Sequence, residues 1–493
     1  MSKHAHLLIT HLTSALFIFF ISINATHATT SSSSIIHATQ SNKIYTANFD
    51  GGTVTWANAL DPQQKQEKVI GKDLRRLALN DAETQLLVSD YLGGDFIWLD
   101  ANTLKEQHRL AISGRPFAVI YDSKNKIYWA TLFESGKLLG LTKNAEIAHS
   151  IDTIETPRGL ALTDDGRLLI THAMTGQVSI WNVNNKAPSL IKTLTLQTTQ
   201  NPDEFVSQGQ PRLLDDIAIS PDGKEAWLPH VLWNFDHPFQ FQSTIFPAVS
   251  VISLIKGEEA EKTEARKQLF KQINIVDNHN RTRIISNPHD AEFSKDGKKV
   301  YVTLAGSEDL LVFDRSRSSK GKRKRSKRRK GKLSQGGAKA SQILRHLPGD
   351  NPKGLLLMKE KIYVQNAMSQ DVVLLNSGGS SSFARAKIIT PTLYKTVSTD
   401  PLNKNLRLGT TLFNSGNTDD AAKNPMTGDF WMSCNSCHLD GFNFTNQYLV
   451  EGRNENKYEN AVLGHGRLNK MIAGDTLKDY LRIIQDTQGG MGF

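Results

Sequence analysis

Short apolar runs recur along most of this chain, each broken by Gly, Asn, Asp or Ser. The stretches "NKIYTANFDGGTVTW", "QLLVSDYLGGDFIWL", "KIYWATLFESGKLLG", "RLLITHAMTGQVSIW", "KVYVTLAGSEDLLVF" and "KIYVQNAMSQDVVLL" share one layout. An apolar strand ends in small or polar residues, a turn follows, and a second apolar strand runs back. A further copy, "EAWLPHV…AVSVISL", is split by an insertion from Leu232 to Phe246. Each unit is preceded by a matching strand and turn, as in "LRRLALNDAET", "PFAVIYDSKN", "PRGLALTDDG", "LDDIAISPDG", "PHDAEFSKDG" and "PKGLLLMKE". The first unit has a reduced version, "SIIHATQSN". Starts at Ile44, Leu86, Ile127 and Leu168 lie 42, 41 and 41 residues apart, and inserted loops widen the spacing to Ala226, Val300 and Ile362.

About four short strands per unit and a period near forty residues predict a mainly β fold, a seven-bladed β-propeller over residues 34–395. Closing the ring removes the unpaired edges that an open array would expose. The units resemble the YVTN family of propellers, with "ISPDGKEAWLPH" and "FSKDGKKVYVTL" the best matches. That resemblance implies the fold and leaves function open. His172, His230 and His289 fall at strand ends of different blades. Two readings stand for them: a shared metal or substrate site, or separate histidines bonded to backbone and water. The long, aromatic-rich insertion "LWNFDHPFQFQSTIFP" is expected to cap the same face. The segment "IKGEEAEKTEARKQLF" reads as an exposed charged helix.

After "TPTLYKTVSTDP" the strand pattern stops. "NKNLRLGTTLFNS" puts Gly409 and Phe413 on one helical face, and "GDTLKDYLRIIQDTQGG" predicts a last helix capped by Asp475 and stopped by Gly489. Residues 396–493 are therefore a small α-helical domain. Between its helices lies "FWMSCNSCHLDGFNF", which holds both cysteines of the chain. C-x-x-C-H is the attachment sequence of c-type haem: Cys434 and Cys437 bond the vinyl groups and His438 ligates the iron. A disulfide between the two thiols, closing a very small loop, or a zinc site with a fourth ligand from elsewhere are the competing readings.

Charge changes the picture less than the total suggests. The formal net charge is +10, but residues 315–332, "RSRSSKGKRKRSKRRKGK", carry twelve Lys or Arg and no acid, so the remainder sums to about −2. Residues 1–28 read as an export signal, with "LLITHLTSALFIFFISI" as the apolar run and Ala28 before the cut. An uncleaved anchor is the alternative. Residues 29–33 read as a flexible Ser-rich leader. Export weakens any specific nucleic-acid role for the basic run. Its two readings are a solvated, disordered insertion at 315–340 and an electrostatic arm for an anionic surface or polymer. No later segment predicts a membrane span, so the chain is expected to be periplasmic or otherwise exported.

The C-terminal segment resembles the first haem domain of the di-haem cytochrome c peroxidase and MauG superfamily through Gly409, Leu412, Phe413, Cys434, Cys437 and His438. Propeller-bearing relatives continue with Asp-Gly, as Asp440 and Gly441 do. The resemblance implies a c-type cytochrome domain carrying haem c. The chain has a single C-x-x-C-H where the peroxidases use two haems. Its end, "GGMGF", leaves open a true terminus or a truncated frame. The expectation is thus one covalent haem, electron transfer with a redox partner protein, and the propeller as docking platform. A haem-dependent oxidoreductase lacking its second haem domain is one alternative; a scaffold with a non-functional cytochrome tail is another. Met471 is the preferred distal iron ligand and His465 its rival; catalytic residues are not legible.

Overall fold

The computed structural model describes residues 31–203, 206–235, 244–259, 275–276, 282–283, 285–315, 339–379, 385–416 and 433–441. Outside them lie the export signal, the centre of the aromatic insertion, most of the charged segment, all of the basic run beyond Arg315, the final helix, and Met471 and His465; the expected insertion at 315–340 ends in a strand that begins at Lys339.

The β pattern folds into seven blades, each an antiparallel meander from one contiguous stretch of chain. They run Ile35–Val69, Leu74–Ala111, Pro116–Asp152, Pro157–Thr195, Gln210–Glu259, Pro288–Leu344 and Pro352–Lys395, and a separate two-stranded pair joins Ile275–Val276 to Thr282–Arg283. First strands touch in succession round a closed ring, the last meeting the first, so they line a central channel. Second and third strands are buried, whereas fourth strands such as Glu106–Ala111 are exposed on the rim. Tight turns carry the left-handed residues this geometry needs, such as Gly176 (φ 69°).

Seven apolar clusters fill the seven blade interfaces, for example Tyr45, Val54, Leu86 and Ile97 between blades 1 and 2, and Tyr363, Val372, Ile44 and Ala57 between blades 7 and 1. Fully buried Trp98, Trp129 and Trp227 are among the largest side chains in them. Each such burial contributes roughly 2–3 kcal/mol. The ring is closed further by Gln365 Nε2 donating to the Ala47 carbonyl at 2.7 Å and by Asn48 Nδ2 donating to that of Thr396 at 3.1 Å.

Two details differ from the sequence reading. Ser32 to Ser34 are buried in the ring rather than forming a flexible leader: Ser32 N–H donates to Leu160 O at 2.8 Å, and Ser33 O accepts from Leu77 N–H at 2.9 Å. Low-complexity serine reads as disorder, but a small side chain is what the crowded first strands accept. The split copy in blade 5 is less interrupted than it looks. Glu225–Trp233 and Ile245–Ser253 pair along their whole length, with Leu232 opposite Phe246 and Trp233 opposite Ile245.

Beyond the ring, helix α1 (Lys404–Asn414) follows, as "NKNLRLGTTLFNS" predicts, with Asn403 Oδ1 capping the amides of Asn405 and Leu406. Gly409 and Phe413 fall in its buried half. The helix docks on the propeller: Arg407 pairs with Asp50 of blade 1 at 2.6 Å, and Ser415 Oγ donates to Glu308 of blade 6 at 2.7 Å. It is the one α-helix among the described residues.

Candidate functional site at the channel mouth

The first strands of blades 2, 3, 4, 6 and 7 begin with a register shift against the second strand, as at Leu74–Leu77, Pro157–Leu160, Pro288–Ala291 and Pro352–Gly354. Such bulges re-aim side chains and leave a backbone N–H without a ladder partner. A hydroxyl from the second strand takes that donor. Ser89 accepts from Arg76 N–H at 3.1 Å, Thr131 from Ala118 at 3.0 Å, Thr171 from Gly159 at 2.8 Å and Thr303 from Asp290 at 3.1 Å. The same hydroxyls reach the next blade: Thr131 Oγ1 donates to Arg158 O at 3.0 Å. This is the small polar residue with which each repeat's apolar strand ends.

The dipeptides at this position differ from blade to blade: Arg75-Arg76, Phe117-Ala118, Arg158-Gly159, Asp215-Asp216, His289-Asp290 and Lys353-Gly354. All these side chains are buried. Arg75 meets Asp73 at 2.5 Å, Arg158 meets Asp215 at 2.5 Å, and Arg76 meets Asp216 at 3.1 Å. Aromatic faces support the cations: Arg158 lies 3.8 Å from the Phe117 ring centre, Arg75 4.5 Å from Tyr91 and Lys353 5.0 Å from Phe49.

The cysteine motif is seated on this ring. Residues Cys434–Ser436 form a single helical turn, closed by His438 N–H to Cys434 O at 2.9 Å. Asn287 grips the turn from blade 6, donating to Ser433 Oγ at 2.7 Å and accepting from Ser436 Oγ at 2.6 Å. Trp233, on the blade 5 hairpin that carries the aromatic insertion, donates Nε1–H to Ser436 O at 3.0 Å. Cys437 and Leu439 extend the apolar cluster of Tyr91, Phe117, Phe133 and Trp233. Asp440 then reaches into the channel, one oxygen on Arg75 at 2.9 Å and the other on Arg158 at 2.7 Å. Despite burial, Arg158, Arg75 and Lys353 hold its carboxyl far below the usual carboxylate range. Burial pushes Lys353 down to about 8 against the raising pull of Asp440, and pushes Asp73 up to about 6 against the lowering pull of Arg75. Deeper in the channel, burial and Asp216 raise Glu292 to about 8.

The three propeller histidines do not converge. His172 bonds Glu155 O and Ser179 Oγ, and His230 bonds Val231 O and Ser250 Oγ, each within its own blade. His289 alone lines the channel, 3.5 Å from Asp215, and burial holds it neutral. Among the described residues no group of three or more His, Cys, Asp or Glu is arranged to hold a metal ion, and the two thiols are not joined.

Do these residues fit a covalent haem? The donor set does: Cys434, Cys437 and His438 follow one another on one helical turn, with free thiols and an aromatic wall beside Cys437. The seating adds a condition. Cys437 and His438 are 6 % and 7 % exposed, and burial raises the thiol of Cys437 to about 12 and that of Cys434 to about 11, although part of Cys434 still meets solvent. Thiolates are the reactive form. If a haem is attached, its vinyl groups would therefore have to bond the thiols while the turn is undocked.

No family model matches the chain, and no curated protein matches it. Among solved structures it is similar to the hydrazine synthase of Kuenenia stuttgartiensis, at 16% identity and TM-score 0.54, covering 72% of this chain and 98% of that one. A functionally unknown protein from Desulfotomaculum acetoxidans DSM 771 matches at 12% identity and TM-score 0.50, covering 72% and 97%. Dihydro-heme d1 dehydrogenase NirN matches at 14% identity and TM-score 0.44, covering 69% and 62%. The first two likenesses show the propeller fold alone.

Arg75, Arg158, Lys353 and Asp215 were not singled out from sequence. Their signal is visible once the repeats are stacked, because each is a charge at a strand position that is Phe117 in blade 3 and His289 in blade 6.

Proposed function

We propose that this chain is an exported c-type haem protein that transfers electrons, its propeller holding the haem-bearing turn at the mouth of the central channel. The observation that carries this reading is the C-x-x-C-H turn itself, intact in one helical turn and, with Asp440 just beyond it, gripped by four blades. Attached through Cys434 and Cys437 with His438 as proximal ligand, the haem would supply one-electron exchange.

The chain's own residues then do three things. Asn287 holds the Ser433 and Ser436 hydroxyls and Trp233 holds the Ser436 carbonyl, before and between Cys434 and Cys437, so the attachment point does not drift relative to a docked partner. Asp440 clamps the turn's end to Arg75 and Arg158, neutralising charge beneath it. Phe117, Tyr91 and Trp233 exclude water from the Cys437 side. The distal ligand is Met471, with His465 as the rival. A redox protein is the partner, and the basic run at 315–332 is a second contact for an anionic surface.

Expression with residues 1–28 in a host competent for c-type maturation tests this directly. One covalent haem per chain by denaturing-gel stain and pyridine spectrum, lost in Cys437→Ala, supports it. A changed reduced spectrum in Met471→Ala or His465→Ala identifies the distal ligand. A well-folded, exported chain with no haem overturns the reading.

A further inference from the structure

We infer that the channel mouth is a carboxylate-binding site built by Arg75, Arg158 and Lys353, in which Asp440 sits as a tethered occupant that a diffusible small carboxylate can replace. This does not rest on the haem reading.

The cations are held in place without Asp440. Arg75 is fixed by Asp73 at 2.5 Å and by the Tyr91 ring, Arg158 by Asp215 and by the Phe117 ring at 3.8 Å. Lys353 stands over Phe49 and feels the charges of both Asp440 and Asp215. They come from blades 2, 4 and 7, so propeller closure alone brings them together. Counting charges at this level, Arg75, Arg158 and Lys353 face Asp73 and Asp215, which leaves one buried positive charge in excess. An uncompensated buried charge is strongly destabilising. Asp440 closes that balance. Whenever the turn lies elsewhere, either Lys353 gives up its proton or an anion takes the place of Asp440.

Geometry selects a carboxylate. Two guanidinium groups approach from separate blades and each takes a different oxygen of one carboxyl group, at 2.9 and 2.7 Å. Spherical anions offer no such pair of acceptors. Asp440 is also an awkward occupant, since its backbone is left-handed at φ 54°. A free ligand carries no such constraint.

The test is chemical rescue of the full chain carrying Asp440→Gly. Glycine is at home at φ 54°, so this change removes the carboxyl group without straining the turn. Thermal unfolding is followed while formate is titrated against chloride at equal ionic strength. A saturable rise in the midpoint, roughly 3 °C at a hundredfold excess over the dissociation constant, is expected. Wild type and the double variant Lys353→Met, Asp440→Gly are expected to respond no more to formate than to chloride. If Asp440→Gly does not fold in chloride, refolding yield with and without formate replaces the midpoint. Formate no better than chloride in either measurement, or equal rescue of wild type, overturns the site.

Discussion

Asn287→Gly is the cleanest probe of how firmly the cysteine turn is held. Asn287 has φ 49°, a left-handed conformation that glycine adopts without cost, so the substitution deletes the side chain without bending the backbone. Two hydrogen bonds go, to Ser433 at 2.7 Å and from Ser436 at 2.6 Å. At about 1 kcal/mol each, undocking of the turn becomes easier by about 2 kcal/mol, roughly thirtyfold. Cys437 reports this in a Cys434→Ala background, produced in a host without c-type maturation. Docked, with the thiol pushed up to about 12, only about one molecule in 10⁴ is thiolate at pH 8; released to an ordinary pKa near 8.5, roughly a quarter is. Alkylation therefore runs through the open state, and its rate measures the opening equilibrium. A maleimide rate about thirtyfold above that of the Cys434→Ala parent is expected. Equal rates in the two proteins, or a parent thiol that reacts as fast as a free one, would refute the docking argument.

Thr131→Val strands the Ala118 amide and the Arg158 carbonyl between blades 3 and 4, at an expected cost of about 2–4 kcal/mol by urea unfolding, while Thr131→Ser stays near wild type. If Ser and Val cost the same, the hydroxyl is not the staple. Trp233→Phe removes the bond to Ser436 O and is expected to speed Cys437 alkylation about fivefold. Glu292 takes the opposite sign to a surface acid. Its folded pKa, about 8, lies above its ordinary 4.5, so its contribution to stability is complete below pH 4.5 and lost as pH rises to 8. Glu292→Gln is expected to flatten that fall, on the order of 3 kcal/mol across the window, and an unchanged pH–stability profile would exclude the buried acid.

The ring was legible because its cause is local. Period-2 apolar strands, turn residues and a repeat near forty residues all lie within one blade. The insertion after Leu232 was misplaced because composition changes there before the pairing does: Trp233 and Ile245 still face each other. Ser32 to Ser34 were misread for the converse reason, their burial depending on Leu77 and Leu160 of other blades. The C-x-x-C-H motif of Cys434, Cys437 and His438 was visible in the spacing, as an expectation of haem attachment. Their seat was not, since Asp440 meets partners 282 and 365 positions away.

Repetition and asymmetry do different work in this molecule. The seven interfaces are filled by much the same apolar residues, so they specify a ring but no place on it. What orients the C-terminal segment is the one strand position where the blades disagree: cations in blades 2, 4 and 7, Phe in blade 3, Asp in blade 5 and His in blade 6. Rotating the turn by one blade would set Asp440 against Phe117 or Asp215 instead of two guanidinium groups, at the cost of a buried, unpaired carboxylate. The apolar contacts of Cys437 and Leu439 lie at the interface of blades 3 and 4, the one interface whose cluster also takes in Trp233. Electrostatics therefore chooses the register, and burial then holds it. Swapping Arg158 with Phe117, with Asp215→Asn to neutralise the partner left behind, moves the cation by one blade, and Cys437 would become freely alkylated if charge is what selects the seat.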